Sequence, residues 1–372
     1  MDLSKFVRPH LDALHPYVPG KPIREEKNIL KLASNENLLG PPASVVRALQ
    51  KAAERAHYYP DDGSIAVRAK LAEKFALEPD WLLPVAGCAE GIYYISQAFV
   101  DDGDEVVVSK PGFSIFNIAG AIQNAKVVRV PVRDDFTPDT EGLANAITEN
   151  TKIVWLDNPN NPCSTIARRL EVEGLIRKID GDALFVHDEA YVDFVTDSGY
   201  VSGIEYLKEH ENVIVLRTFS KIYALAGLRI GVIIGRPEVI AALHKVRMPF
   251  NVNAMAQAAL LAALEDEEYH RQSVAMAVEM RGQMGRLLDE YGFRHVESHT
   301  NFLLFDAGVD SVDLARAMNE HGVFVRPMKG AGLPTWVRAS VPSNIVDCYR
   351  FADTLAVCQQ RLQERQDSES AD

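Results

Sequence analysis

The sequence predicts an α/β fold with a mostly parallel central sheet and helices on both of its faces. Short runs rich in aliphatic and β-branched residues alternate with segments of helical period, and these runs cover residues 106–109, 127–130, 153–156, 184–187, 213–216 and 230–234. Such alternation is typical of βαβ units, in which a helix connects two parallel strands. The chain has 372 residues, of which 47% are hydrophobic, so it can bury a large core and divide into two domains.

A smaller α+β unit is predicted after this sheet. A helical pattern runs over residues 268–290, and two strand-like runs follow it at 302–305 and 323–325. The apolar face of the helix is expected at Val274, Val278 and Leu288. We therefore expect a large domain at residues 31–267 and a small domain that combines residues 1–30 with 268–372. The last six residues are polar, and we expect them to be disordered.

Charge and composition narrow the classes of partner. The formal net charge of −13 opposes binding to nucleic acid or to an anionic membrane surface, because both would be repelled. No stretch approaches the roughly eighteen consecutive apolar residues that a transmembrane helix needs. The sequence has four cysteines without CxxC spacing, Cys88, Cys163, Cys348 and Cys358. This pattern fits a reducing compartment. We therefore expect a cytoplasmic protein without a membrane partner.

Common nucleotide and metal motifs are absent from the sequence. It contains no GxxxxGK[ST], no GxGxxG and no HExxH. His187 stands at the end of a strand-like run, and no second histidine stands at ligand spacing. We therefore expect His187 to be a strand-end histidine with its hydrogen bonds satisfied rather than a metal ligand, and the sequence predicts no metal site.

The strongest chemical signal is Lys221. It ends the segment Thr218-Phe219-Ser220-Lys221, just after the strand-like run 213–216, and Arg229 follows eight residues later. An enzyme that uses pyridoxal phosphate (PLP) needs an amine to bind the cofactor's aldehyde, with phosphate ligands beside it. Ser-Lys pairs are also common on solvated surfaces, so this interpretation depends on the rest of the sequence.

Asp188 and Tyr191 follow another strand-like run, in the segment His187-Asp188-Glu189-Ala190-Tyr191. A buried carboxylate raises the pKa of the pyridine nitrogen of PLP and keeps it protonated, as the cofactor requires to accept electrons. Asp188 fits that role, and Tyr191 could hydrogen-bond the phenolic oxygen of the ring. The alternative is an acidic pair at a strand end in solvent.

Two turns offer further contacts. Asn161 lies in Asn158-Pro159-Asn160-Asn161-Pro162 and could donate its amide to the phenolic oxygen, although Asn-Pro repeats are also ordinary turn chemistry. The glycine-bearing turn at residues 85–91 opens a helical pattern, so its N–H groups and the helix dipole could hold a phosphate. Asn161, Asp188 and Lys221 all lie just past strand ends, where open α/β sheets bind ligands.

Together these segments resemble the fold-type I, aspartate-aminotransferase-like PLP enzymes over nearly the whole chain. The matching segments are residues 32–37, 59–61, 87–90, 158–162, 188–191, 220–221, 226–229 and Arg338. Within that superfamily the chain is most similar to histidinol-phosphate aminotransferases, through residues 15–20, 247–253 and 322–327. It departs from the pattern at Cys163-Ser164, where the family usually has Thr-Gly. The resemblance implies the fold-type I architecture.

The resemblance also implies a role for each residue near the cofactor. Lys221 would bind PLP as a Schiff base and move the proton between the substrate's α carbon and C4′ of the cofactor. Asp188, Tyr191 and Asn161 would contact the ring. Phe113 would stack on it, and the alternative for this residue is a core position. The phosphate would be held by Ser220, Arg229, the backbone N–H groups at Cys88 and Ala89, and Tyr59 of the partner subunit, and Glu90 would also belong to the cofactor site.

Substrate contacts follow from the same resemblance. Asn35 and Arg338 fall where the family binds the amino-acid carboxylate, which a planar guanidinium pairs with bidentately. Tyr17 and Arg326 would add contacts to a substrate phosphate, and the alternative for Arg326 is an exposed strand-end charge. The implied reaction is transfer of an amino group from L-histidinol phosphate to 2-oxoglutarate, by a ping-pong route, in a homodimer with shared active sites.

Three alternative functions remain open at this point. An aromatic amino acid aminotransferase would use the same cofactor site, and so would a decarboxylase of the threonine-phosphate type. The non-enzyme alternative is a PLP-sensing regulatory domain fused to a DNA-binding module. Only about thirty residues precede Leu32, and the net charge is negative, so the sequence argues against such a module.

Overall fold

The computed structural model describes residues 4–14, 29–179, 181 and 183–371. The strands are β1 Leu30–Lys31, β2 Leu82–Val85, β3 Glu105–Lys110, β4 Lys126–Pro131, β5 Thr151–Asp157, β6 Leu184–Asp188, β7 Val213–Thr218, β8 Gly231–Ile234, β9 Phe302–Asp306, β10 Val323–Phe324, β11 Arg326–Pro327 and β12 Trp336–Ser340. The α-helices are α1 Ala43–Ala53, α2 Ile65–Phe75, α3 Cys88–Phe99, α4 Ser114–Ile122, α5 Thr140–Asn145, α6 Arg169–Ile179, α7 Gly203–Glu209, α8 Pro237–Val246, α9 Ala254–Leu264, α10 Glu267–Glu290, α11 Ser311–Glu320 and α12 Ile345–Ala371.

A seven-stranded sheet dominates the fold, in the order β2-β8-β7-β6-β5-β3-β4. The strands from β4 across to β7 are parallel, which confirms the predicted α/β class. β8 is antiparallel to both of its neighbours. The segment between β7 and β8 holds only the 3-10 turn Ala226–Leu228, whereas a parallel connection usually needs a full crossover helix. β2 was not predicted, because it has four residues and contains Pro84.

The central strands are buried on both faces, which explains their continuous apolar runs. Alternate residues of β5 and β6 contribute to two different hydrophobic clusters, as the two-residue period of a strand requires. Val154 and Phe185 belong to one cluster, while Trp155 and Val186 belong to the other. Helices cover both faces, so the polar groups at the strand ends lie at the edge of a rigid layer.

The C-terminal part contains a three-stranded antiparallel sheet in the order β11-β12-β9. α10 contacts β9 and α11 contacts β11, while α12 packs against both helices. β1 pairs in parallel with β10, so the segment before the large sheet also belongs to this region. The 3-10 turn Pro9–Ala13, which also precedes the large sheet in the chain, packs instead against α4, a helix that belongs to the large sheet's layer. Nε2 of His10 lies 3.1 Å from the carbonyl oxygen of Ile122 at the end of α4. The division into domains at residues 31–267 stays a prediction.

Two details of the helices differ from expectation. The buried face of α10 includes Ala277, Met280, Met284 and, as predicted, Leu288, whereas the predicted Val274 and Val278 are only half-buried. α12 extends to Ala371. The last six residues were expected to be disordered, and this expectation was wrong for residues 367–371. Residues 359–371 contain no glycine or proline and many good helix formers, and Nε2 of Gln360 donates to Glu364 at 2.9 Å. Within the described residues, no helix is long and apolar enough to cross a membrane.

Candidate active site

A cavity of about 430 Å³ lies where the carboxyl ends of β5, β6 and β7 meet the C-terminal sheet. Most of the predicted site residues line it, although they come from segments spread over the chain. They are Asn35, Cys88, Ala89, Phe113, Asn161, Asp188, Tyr191, Ser220, Lys221, Arg229, Arg326 and Arg338. Parallel strands end at a common edge, and this topology is what brings Asp188 and Lys221 together.

One end of the cavity is built as a cradle for an anion. α3 begins at Cys88, and the first N–H groups of a helix have no acceptor within it, although that of Glu90 donates to the carbonyl of Gly87 just before the helix at 3.0 Å. Gly87 precedes them with φ of 85°, and a Cβ at this position would collide with the guanidinium of Arg229. Ser220 also lines this cavity. A helix N-terminus, a hydroxyl and a guanidinium together fit a phosphate.

Lys221 lines the cavity and is half-buried. Its Nζ donates to the carbonyl oxygen of Ser34 at 3.2 Å. Burial lowers the pKa of Lys221 to about 8, and the positive charge of Arg338 acts in the same direction. A lysine with this pKa is partly neutral near pH 7, so its amine can act as a nucleophile.

Asp188 is 3% exposed, and burial raises its pKa to about 7. Its Oδ1 accepts from the backbone N–H of Ala190 at 3.1 Å, which opposes the effect of burial. A cation placed in the cavity beside this carboxylate would compensate for the lost hydration. The protonated ring nitrogen of PLP is such a group, so Asp188 fits the cofactor.

Behind Asp188, a buried charge network holds the end of β6. Oε2 of Glu189 lies 2.7 Å from Nε of Arg217, and its Oε1 accepts from the hydroxyl of Tyr200 at 2.8 Å. His187 is fully buried here, but its ring nitrogens have no hydrogen-bond partner among the described residues, so the expected hydrogen-bonded histidine was wrong. Burial lowers the pKa of His187 to about 4, which leaves the ring neutral.

The opposite end of the cavity is formed by two arginines on neighbouring strands. The antiparallel register of β11 and β12 places Arg326 opposite Arg338. Nη1 of Arg338 donates to Oδ1 of Asn161 at 2.6 Å, and its Nη2 donates to the carbonyl of Ala33 at 3.0 Å. The guanidinium lies 5.3 Å from the ring centroid of Phe302, and this packing fixes its orientation.

Asn35 and Tyr191 form a hydrogen-bonded pair in the same cavity. Nδ2 of Asn35 donates to the hydroxyl of Tyr191 at 2.9 Å. Burial raises the pKa of Tyr191 to about 12, so the hydroxyl keeps its proton and can donate it in a hydrogen bond. Asn35 has φ of 54°, a left-handed conformation that asparagine tolerates better than most residues.

Two of the predicted residues that the structure describes, Glu90 and Tyr59, do not line this cavity. Glu90 turns away from it, and its Oε2 accepts from the backbone N–H of Ala86 at 2.6 Å and from Nδ2 of Asn251 at 2.7 Å. Tyr59 is 81% exposed and stacks on Phe250 with ring centroids 4.5 Å apart. Tyr17 lies outside the described residues.

An outer cavity of about 690 Å³ adjoins the first and shares four of its residues, Phe113, Asn161, Arg326 and Arg338. Its described lining includes five cationic side chains and no aspartate or glutamate: Lys110, Arg129, Arg326, Lys329 and Arg338. The chain as a whole carries a net charge of −13. The approach to the inner cavity is therefore locally positive on an acidic protein, which favours anionic ligands.

Asp157 and Thr218 line the inner cavity as well, although the sequence analysis gave them no role. Asp157 is the last residue of β5 and Thr218 is the last residue of β7, just as Asp188 is the last residue of the parallel strand β6 between them. That shared position is the signal that could have identified them.

Comparison with known proteins agrees with this description. A model of the family "Aminotransferase class I and II" matches residues 27–353. The histidinol-phosphate aminotransferase of Moorella thermoacetica is 38% identical over 336 residues, which cover 88% of this chain and 87% of that protein. The enzyme of the same name from an Anaeromyxobacter species is 38% identical over 343 residues, covering 90% of this chain and 94% of that one.

A solved structure shows the same architecture. The crystal structure of histidinol-phosphate aminotransferase from Sinorhizobium meliloti in complex with pyridoxal-5′-phosphate superposes with a TM-score of 0.87 at 29% identity, over 96% of this chain and 98% of that one. Fold and cavity together define a fold-type I enzyme. The chain belongs to the class I and II aminotransferase family.

Proposed function

We propose that this aminotransferase binds PLP in the inner cavity and transfers an amino group from L-histidinol phosphate to 2-oxoglutarate. The observation that carries the proposal is the position of Lys221, between the anion cradle beside Arg229 and the cationic end at Arg338. Two relatives at 38% identity are named histidinol-phosphate aminotransferases, which supports this donor. The positive outer cavity suits both substrates, because each is anionic.

The cavity residues would hold the cofactor at three places. Ser220, Arg229 and the N–H groups of Cys88 and Ala89 bind its phosphate. Asp188 keeps the ring nitrogen protonated, and PLP then supplies an electron sink for the substrate's α carbon. Phe113 would stack on the face of the ring, and Asn161 and Tyr191 would hydrogen-bond its phenolic oxygen.

Lys221 would serve first as the covalent anchor and then as the proton carrier. Its neutral amine would hold the cofactor through the aldehyde carbon, with loss of water, and an incoming donor amine would take its place and release it. The freed Nζ would then be the group that moves the proton between the substrate's α carbon and C4′. The hydrogen bond from Nζ to the Ser34 carbonyl fixes the amine at the cavity floor. The second substrate runs the same proton transfer in reverse.

Arg338 and Arg326 would divide the recognition of the two substrates. Glutamate presents an α-carboxylate, whereas histidinol phosphate presents a phosphorylated methylene at the same carbon, so one site must accept either anion. A guanidinium pairs bidentately with both groups. Arg338 reaches the shared position next to Asn35 and Asn161, and Arg326 on the adjacent strand adds a second positive charge for a dianion.

The Arg326→Ala variant tests this division. It should slow the histidinol phosphate half-reaction more than the glutamate half-reaction, because a dianionic phosphate gains more from a second cation. A lost charge-assisted hydrogen bond costs about 1.5–3 kcal/mol, or roughly ten- to hundredfold in rate. Single-turnover rates measured separately with each donor give the comparison, with Arg338→Ala as the variant expected to harm both. Equal losses in Arg326→Ala would remove the phosphate-specific role and favour an aromatic amino acid as donor.

The lowered pKa of Lys221 gives a pH prediction. The rate at which the apoprotein captures PLP should rise about tenfold per pH unit below pH 8 and level off above it, because only the neutral amine attacks the aldehyde. Arg338→Ala should move the midpoint upward, since the charge of Arg338 lowers the pKa of Lys221. Stopped-flow absorbance across this range measures the midpoint. A wild-type midpoint near the ordinary lysine value of 10.5 would contradict the buried environment.

The working unit is proposed to be a homodimer in which Tyr59 reaches the partner's cofactor phosphate. Tyr59 is 81% exposed in the single chain, beside other exposed apolar side chains: Tyr58, Ile65, Met248 and Phe250. Mixing a Tyr59→Phe chain with a Lys221→Ala chain should give hybrid dimers with one intact site. Their activity should exceed the summed activities of the unmixed variants. No recovery, with subunit exchange shown by native mass spectrometry, would count against a shared site.

The donor is tested directly with the purified holoenzyme. Single amino donors are mixed with it, and absorbance follows conversion of the cofactor from its aldehyde form to its amine form. Histidinol phosphate should convert it fastest, and phenylalanine should convert it slowly. A faster conversion with phenylalanine would reassign the donor.

A further inference from the structure

Asp157 ends β5 and has no role in the function proposed so far. It lines the inner cavity and is 4% exposed. The parallel register of β5 and β6 places it opposite Asp188. Burial raises the pKa of Asp157 and the nearby charge of Asp188 acts in the same direction, while its bonds to the backbone N–H groups of Asn161 and Phe113 lower it. A carboxylate at this place is therefore costly to keep ionised, unless its hydrogen bonds compensate.

Three N–H donors converge on this carboxylate. Oδ2 accepts from the backbone N–H of Phe113 at 3.2 Å and from that of Asn161 at 2.9 Å. Oδ1 accepts from Nδ2 of Asn160 at 3.0 Å. A protonated carboxyl would turn its own O–H toward a donor, so the arrangement favours the ionised form. These bonds oppose the effect of burial, as hydrogen bonds to a carboxylate do.

We propose that Asp157 is a positioning residue of the cofactor cavity, which fixes the Phe113 segment and the Asn161 turn relative to each other through their backbone N–H groups. The inference rests on the proposed function, in which Phe113 lies on the ring face and Asn161 contacts the ring edge. Phe113 stands immediately before α4, whereas Asn161 follows β5, so the two belong to different elements. Asp157 accepts a hydrogen bond from the backbone N–H of each. Because both bonds end on one carboxylate at the end of β5, they hold the two cofactor contacts in a fixed position relative to each other.

The link extends to the substrate end of the cavity. Nη1 of Arg338 donates to Oδ1 of Asn161 at 2.6 Å, so a displaced Asn161 would remove one of the bonds that orient this guanidinium. Oδ1 of Asn160 accepts from the backbone N–H of Cys163 at 2.9 Å, which fixes the turn on its other side. Loss of the Asp157 carboxylate should therefore weaken cofactor binding first and raise KM second.

The test compares Asp157→Ala and Asp157→Asn with a matched control. Asp139 accepts from the N–H of Gly142 at 2.9 Å and lies outside the described lining of the cavity, so Asp139→Ala removes a similar bond elsewhere. The measurements are the Kd of the apoprotein for PLP and the visible circular dichroism of the bound cofactor. Asp157→Ala should raise Kd about tenfold or more and change the dichroism. Asp157→Asn should do so less, because it keeps one acceptor oxygen, and Asp139→Ala should change neither.

A second measurement needs no cofactor. Amide hydrogen exchange at Phe113 and Asn161 should be faster in the Asp157→Asn apoprotein than in the wild type, because both N–H groups lose their charged acceptor. Wild-type exchange at these amides, or wild-type Kd and dichroism in the folded variants, would overturn the inference. If Asp157→Ala does not fold, Asp157→Asn decides the question. A wild-type protein that binds no PLP would sink the proposed function instead, and the exchange experiment would still test the link.

Discussion

Replacing Lys221 by alanine should reduce the transamination rate by more than about 10⁴-fold, because the variant loses both the covalent anchor and the group that moves the α proton. Lys221→Arg should be as inactive, since a guanidinium keeps the charge but neither attacks the aldehyde nor gives up a proton near pH 7. Steady-state kinetics with histidinol phosphate and 2-oxoglutarate measure the loss.

The control for this experiment is the addition of a small primary amine. Methylamine in the buffer can enter the space left by the side chain in Lys221→Ala and should restore a measurable fraction of the proton transfer. Activity of Lys221→Ala within about tenfold of the wild type, without added amine, would contradict the role of Lys221.

Removing the charge of Asp188 is expected to have the second largest effect. Asp188→Asn should lower the rate by roughly 10²–10³-fold, as loss of a preorganised electrostatic contact typically does. The same change should stabilise the apoprotein. The pKa of Asp188 is raised from 3.8 to about 7 on folding, so ionisation of the native carboxyl costs stability that grows from about pH 4 and is complete above pH 7.

Thermal and denaturant unfolding of the apoproteins checks the sign of this effect. At pH 8 the free energy of unfolding of Asp188→Asn should exceed that of the wild type by up to about 4 kcal/mol, and at pH 4 the difference should nearly vanish. Asp188→Glu keeps the charge and should retain more activity than Asp188→Asn. Lower stability of Asp188→Asn at pH 8, or full activity, would contradict the assignment of Asp188 to the ring nitrogen.

The sequence predicted the residues at strand ends well, because a parallel sheet brings those ends to one edge. Asp188, Asn161 and Lys221 each follow an apolar run, and period and turn chemistry locate such runs without knowledge of the tertiary fold. The direction of β8 and the existence of β2 were harder to predict. The direction of a strand depends on its connection, and β2 has too few residues to show a period.

Side-chain direction explains the remaining differences. Glu90 is the third residue of α3, its carboxylate accepts from the N–H of Ala86, and its own N–H donates to the carbonyl of Gly87 at 3.0 Å, so both groups have partners outside the cofactor cavity. Asp157 was overlooked for another reason. Its partners are backbone N–H groups of Phe113 and Asn161, and a main-chain donor leaves no trace in residue identity.

Ser164 illustrates how a fold can keep a conformation when a residue changes. The family usually has glycine after the residue at position 163, and Ser164 holds φ of 67°, which glycine adopts freely. The hydroxyl of Ser164 donates to the carbonyl of Cys163 at 2.5 Å, and its N–H donates to the carbonyl of Asn160 at 2.8 Å. These local bonds compensate for the backbone cost, so the turn that carries Asn161 is preserved.

The most direct test of the proposed function is chemical trapping of the cofactor on Lys221. The purified protein, saturated with PLP, is reduced with borohydride, digested, and analysed by mass spectrometry. A stable pyridoxyl group is expected on the peptide that contains Ser220-Lys221, and none on that peptide from the Lys221→Ala protein. Reduced cofactor on another lysine, or a protein that takes up no PLP, would contradict it.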